Sequence, residues 1–140
     1  MRQILLFAAL AASLALLSGC ALSKAKEDKA EDVTDKAAYH KISAEEAYEM
    51  MASQEVVVVD VRTREEYDGG HIENAVLVPN ESIGSEMPAA LPDKETTLLV
   101  YCRSGRRSKD AAQKLLALGY QSVYDFGGVI DWPYELVKEG

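Results

Sequence analysis

Apolar and polar positions divide the chain into three stretches with different periods. After Arg2, residues Ile4 to Leu17 form an almost unbroken apolar run that gives way to the small residues Ser18 and Gly19. At 14 residues this run falls short of the roughly 20 that an ordinary membrane-spanning helix needs. A basic start, a short apolar run and a small-residue end together predict a signal peptide for export. The second stretch, Ser23 to Lys36, is built mainly of Lys, Glu, Asp and Ala, with Val33 its only large apolar residue. Too polar to bury a face, it is expected to be a flexible or partly helical tether.

Folded structure is expected to begin near Tyr39. Ser43 followed three residues later by Glu46 spells a capping box, and Ala44, Ala47, Tyr48, Met50 and Met51 follow at spacings that put most of them on one helix face. Val56 to Val59 is a continuous β-branched run without alternation, as in a strand covered on both sides. A second strong strand is predicted at Thr97 to Tyr101, with shorter ones at Ala75 to Val78 and Ser122 to Tyr124. Turn signals stand at Gly69-Gly70, Pro79, Pro92-Asp93 and Gly127-Gly128, and a helix is predicted from about Arg106 to Leu118 with Gly119 as its stop. Strands alternating with helices in so short a chain predict an α/β fold, a small, mostly parallel sheet flanked by helices on both faces.

The predicted organisation is a signal peptide over 1–19, a lipidated cysteine and polar tether over 20–37, and one domain over 38–140. Residues after the leader suffice for one core and not for two. The chain carries 15 basic and 23 acidic residues, a net charge of −8 at pH 7, and cleavage after Gly19 would remove Arg2 but no acid. That balance excludes nucleic acid, and anionic lipid met through the body of the protein, as expected partners. The quartet Leu17, Ser18, Gly19, Cys20 resembles the bacterial lipobox. The resemblance implies that Cys20 becomes the acylated N-terminus, carrying fatty acyl chains such as palmitate, and that lipid holds the protein to the cell envelope. Cys102 then has no partner in its own chain for a disulfide, and a lone thiol outside the cytosol calls for a chemical role.

Cys102 ends the second strong strand, at the sheet edge where ligands and catalytic groups collect in open α/β sheets. Arg103, Ser104, Gly105, Arg106, Arg107 and Ser108 follow it, and then the apolar stripe of Ala111, Ala112, Leu115, Leu116 and Leu118. A loop of this kind can turn successive N–H groups inward above the positive end of the following helix, and three arginines strengthen the field. Such surroundings favour the thiolate, the form of cysteine that acts as a nucleophile.

The loop CRSGRRS resembles that of the rhodanese family, and the likeness runs from about Ala38 to Glu139. DVRTREEYDGGHIENAVLVP, from Asp60 to Pro79, is similar to the family's upstream signature, and GGVIDW, from Gly127 to Trp132, to its C-terminal one. The resemblance implies a sulfurtransferase in which Cys102 opens a six-residue loop ending at Arg107. Cys102 takes a sulfane sulfur from thiosulfate or a related small anion and holds it as a persulfide, while Arg103 to Arg107 bind the anion. With no second thiol to resolve the persulfide, the acceptor is expected from outside: a thiol, cyanide or a protein. No cofactor or metal is implied, and a monomer is expected. Asn74 departs from the family pattern, standing where glycine is usual.

Two other readings are weighed on the same residues. A cysteine-dependent phosphatase or arsenate reductase has a similar layout, but needs an arginine after five intervening residues, where Ser108 stands here. A non-catalytic rhodanese-like binding module would typically lack the cysteine. Asp60, at the end of the valine strand, is expected on the same sheet edge as Cys102, where its carboxylate could orient the loop by accepting N–H groups. Arg62 is a further candidate around the loop, its expected partner being Glu65 or Glu66 in the neighbouring turn. Trp132 is expected as a core plug or pocket wall, and His40 and His71 as structural residues.

Overall fold

The computed structural model describes residues 37–139; the predicted leader and nearly all of the tether lie outside the described residues. The elements run β1 (Tyr39–Lys41), α1 (Ala44–Ser53), β2 (Val56–Asp60), α2 (Arg64–Asp68), β3 (Val76–Leu77), β4 (Thr97–Cys102), α3 (Arg106–Ala117) and β5 (Ser122–Gly128), with short 3₁₀ turns at Asn80–Ser82 and Val129–Asp131. All five strands are parallel, in the order β1-β5-β4-β2-β3. A parallel sheet must be covered on both faces, and two separate apolar clusters do so. Val59, Val61, Leu98, Val100 and Val123 pack with Ala111, Ala112 and Leu115 of α3, while Val58, Leu99, Tyr101 and Phe126 pack with Ala47 of α1 and Tyr67 of α2. Alternation along β4 therefore decides which layer each residue serves, and Cys102 belongs to the layer shared with α3.

The capping box at Ser43 forms as its spacing predicts: the Glu46 amide donates to Ser43 Oγ at 3.1 Å, and the Ser43 amide to Glu46 Oε2 at 2.7 Å. Two elements are additional to those read from the pattern. Strand β1 is three residues long with a polar register, and exists because it pairs with β5 from Tyr39↔Val123 to Lys41↔Asp125. Helix α2 has its own capping box, with Thr63 as N-cap and Glu66 reaching back. Strand β5 runs four residues beyond the expected Tyr124, through a register shift against β4 that brings Gly128 opposite Cys102.

Asp60 and Arg62 are corrected by the structure. The Asp60 carboxylate, fully buried, accepts from the Arg62 amide at 2.9 Å, from Arg62 Nη2 at 2.7 Å and from the Tyr101 hydroxyl at 2.7 Å. Tyr101 faces Asp60 across the β2–β4 register and itself accepts from the Ile72 amide. Asp60 is thus committed to its own side of the sheet and does not hold the amides of the cysteine loop. Arg62 pairs with Asp60 and the Gly70 carbonyl oxygen, not with Glu65 or Glu66. Breaking a buried pair leaves an uncompensated charge, so Asp60→Ala should destabilise the fold by about 3–5 kcal/mol. Urea denaturation followed by circular dichroism measures this; a loss below about 1 kcal/mol, the scale of an exposed pair, would contradict it.

Candidate active site

Between β4 and α3 the chain turns within Arg103, Ser104 and Gly105. Two glycines make that turn possible. Gly105 is the N-cap of α3 with φ +99°, a conformation that costs an L side chain energy and costs glycine none. Gly128 lies so close beneath the loop that a Cβ there would collide with the carbonyl group of Arg103 and the amide nitrogen of Ser104. The neighbouring backbone completes the hold: the Ile130 amide donates to the Arg103 carbonyl at 3.2 Å. With that carbonyl tied down, the loop amides are free to face the other way.

They face the cysteine. The Gly105 amide donates to Cys102 Sγ at 3.0 Å, and the sulfur sits at the base of the loop with only 1% of the residue exposed. Burial pushes the Cys102 thiol up, but the Ser108 amide and side chain and the Gly105 and Ser104 amides outweigh it and hold the thiol below its ordinary value. Of these donors the Ser108 hydroxyl is the most divided. Its oxygen lies 2.7 Å from Asp125 Oδ1, closer than to the Gly105 or Gly127 carbonyl, and its single proton goes to that carboxylate, so the backbone amides do most of the work at the sulfur. The first turn of the 12-residue α3 starts at Arg106, which puts the positive end of a helix beside the sulfur.

The loop arginines have different surroundings. Arg107 is clamped to Glu66 of α2 by two hydrogen bonds, of 2.7 and 2.9 Å, and this guanidinium holds the Glu66 carboxyl down to about 2. Arg103 and Arg106 are exposed and have no ion-pair partner among the described residues. Ser104, Arg106 and Arg107 line a polar cleft of about 590 Å³ together with Asn80, Glu81 and Asp110. A larger cleft of about 790 Å³ lies elsewhere, walled by Tyr48, Met51, Trp132 and Tyr134, and no residue of the cysteine loop reaches it. Trp132 packs on Phe126 and Tyr134, and its buried indole N–H has no acceptor among the described residues. His71 is buried and stacked on Tyr67, and His40 is stacked on Tyr124. Asn74 has φ +63°, which explains why glycine is usual there and why Asn, the side chain that tolerates this region best, can replace it.

Reasoning from the sequence named Glu66 only as a candidate partner of Arg62, whereas it clamps Arg107, and it overlooked Asp125. Thr63 followed by Arg64, Glu65 and Glu66 carries the same capping signature as Ser43 to Glu46 and could have located Glu66. An acid in the middle of an otherwise apolar and aromatic strand, Val123 to Phe126, marks Asp125.

Comparison with known proteins accords with this geometry. The chain belongs to the rhodanese-like domain family, whose model matches residues 43–133. A rhodanese from E. coli, solved with anions, is 35% identical with a TM-score of 0.54, covering 59% of this chain and 98% of that one. A human single-domain sulfurtransferase is 28% identical with a TM-score of 0.59, covering 66% of this chain and 93% of that one. A tRNA uridine(34) hydroxylase of Yersinia pestis is 31% identical over 106 residues, which is 72% of this chain but only 30% of that protein.

Proposed function

We propose that this protein is a rhodanese-type sulfurtransferase that moves a sulfane sulfur from thiosulfate or a related anion to a thiophilic acceptor through a persulfide on Cys102. The observation that carries this reading is the Gly105 amide 3.0 Å from Cys102 Sγ, in a loop whose other donors also favour the thiolate. The thiolate attacks the outer sulfur of thiosulfate; the new S–S bond forms as the old one breaks, and sulfite leaves with its electron pair. Loop amides stabilise the negative charge now carried on the outer persulfide sulfur. An external nucleophile, such as a thiol or cyanide, then takes that sulfur and returns the electron pair to Cys102. Arg103 and Arg106, without ion-pair partners among the described residues, gather the anion; Arg107 shapes the loop through Glu66. The likeness to a rhodanese solved with anions supports the substrate class.

A phosphatase reading is disfavoured because the position its clamping arginine would take is Ser108, fully buried and bonded to Asp125. The acidic balance of the chain disfavours a tRNA substrate. On the sequence of residues 1–20 we further propose export and anchoring to the cell envelope through lipid on Cys20.

Cys102→Ser tests the chemistry. After thiosulfate treatment the wild-type peptide containing Cys102 should gain the mass of one sulfur atom, and cyanide should release it as thiocyanate. The serine variant should do neither, at unchanged circular dichroism, because a hydroxyl is not ionised by loop dipoles and an oxygen stores no transferable sulfur. Sulfur transfer retained by the serine variant, or none by wild type, would overturn the reading. Cys20→Ala tests the anchor: membrane fractionation should find the variant released or unprocessed, with sulfur transfer by the domain intact. Unchanged attachment and processing would show that Cys20 is not the anchor.

A further inference from the structure

Asp125 lies under the cysteine loop on β5, 1% exposed, where an isolated carboxylate is costly. Its Oδ1 accepts from the Ser108 hydroxyl at 2.7 Å and from the Gly127 amide at 2.9 Å. Its Oδ2 accepts from the Tyr39 hydroxyl at 2.6 Å, and Lys41 Nζ stands 3.4 Å from Oδ1 at the half-exposed end of β1. These four partners come from three elements. Ser108 is in the first turn of α3, and its amide is one of the donors around the sulfur. Gly127 precedes Gly128, on which Arg103 and Ser104 rest. One carboxylate therefore ties together the helix that ends the loop and the strand that floors it.

We propose that Asp125 is the positioning residue of Cys102: by holding Ser108 and Gly127 to a common acceptor it keeps the loop amides aimed at the sulfur, with Tyr39 and Lys41 fixing the carboxylate from β1. The proposal rests on Cys102 working as a thiolate, and it adds a role for a residue that touches no reactant. Its direction is distinctive. A carboxylate near a thiolate acts against it by simple electrostatics, so removing a merely neighbouring charge should lower the thiol pKa. Removing a positioning group should raise it. Among the described residues, Arg107 from α3 also carries charge toward the sulfur and is held by Glu66, whereas Asp60 at the end of β2 and Arg62 two residues beyond it are paired with each other. Neither pair changes in the variants below.

The test is the pH dependence of iodoacetamide alkylation at Cys102 in the full chain, followed by the mass of the peptide containing it. Asp125→Ala should raise the midpoint by about one pH unit, a tenfold loss of thiolate at a fixed pH below it. Asp125→Asn, which keeps an acceptor for Ser108 and Gly127 and removes only the charge, should stay at or below the wild-type midpoint. Ser108→Ala should raise the midpoint too, and combining it with Asp125→Ala should add little, because both break one link. A midpoint lowered or unmoved by Asp125→Ala in a folded protein, or full additivity with Ser108→Ala, would overturn the proposal. Should Asp125→Ala not fold, an unmoved midpoint in Ser108→Ala would overturn it equally. Alkylation needs no sulfur donor or acceptor, so a failure here is distinguishable from a failure of the sulfur-transfer reading.

Discussion

The contact of Gly128 with the backbone of Arg103 and Ser104 is the constraint on which the site depends. No side chain fits between strand and loop at that point. The parallel pairing of β4 with β5, shifted in register just before Cys102, delivers Gly128 to that position. The Ile130 amide, two residues further on, then takes the Arg103 carbonyl. A loop that would otherwise point a mixture of donors and acceptors at the sulfur is left to present amides. The start of α3 adds the field of its unpaired N–H groups from the same side. The chemistry proposed for Cys102 follows from this backbone geometry more than from any one charged side chain.

Two buried aspartates, on strands separated by β4, divide the polar work. Asp60, on β2, serves the layer under α1 and α2, where it holds Arg62 and the Tyr101 hydroxyl and through them the turns at Gly70 and Ile72. Asp125, on β5, serves the layer under α3, where its partners are Ser108, Gly127 and β1. Each satisfies a buried carboxylate with several donors, as burial demands. Only the second set touches the residues that surround the sulfur. Glu66 has two tasks as well, capping α2 and clamping Arg107, so the upstream signature and the cysteine loop are joined by a direct ion pair.

The sequence foretold what arises from local periodicity and turn chemistry. The valine run, the Thr97 strand, the capped helix at Ser43 and the helix stop before Gly119 each carry a signal within a few residues of the event, and each forms within one or two residues of its expected bounds. Cys102 was legible because a strand end, a glycine turn and a helix start lie side by side in the chain. Strand β1 was not, since its three residues owe their conformation to pairing with β5 some 84 positions away. Assigning Asp60 to the cysteine loop failed for a related reason. Its place at the sheet edge was legible, but its nearest donors are its own neighbour Arg62 and, across the register, Tyr101. Asp125 was overlooked because its partners, Tyr39 and Ser108, meet it only once the sheet is assembled.

What unites these observations is that the loop favours the thiolate form of Cys102 against the cost of burying it. Titration of the thiolate absorbance, taken as the difference between wild type and Cys102→Ser, measures this directly. The account predicts a midpoint below the value of about 8.5 of a free cysteine, with the thiolate persisting as pH falls toward it. A midpoint at or above that value would mean that burial outweighs the loop amides, and would contradict the account.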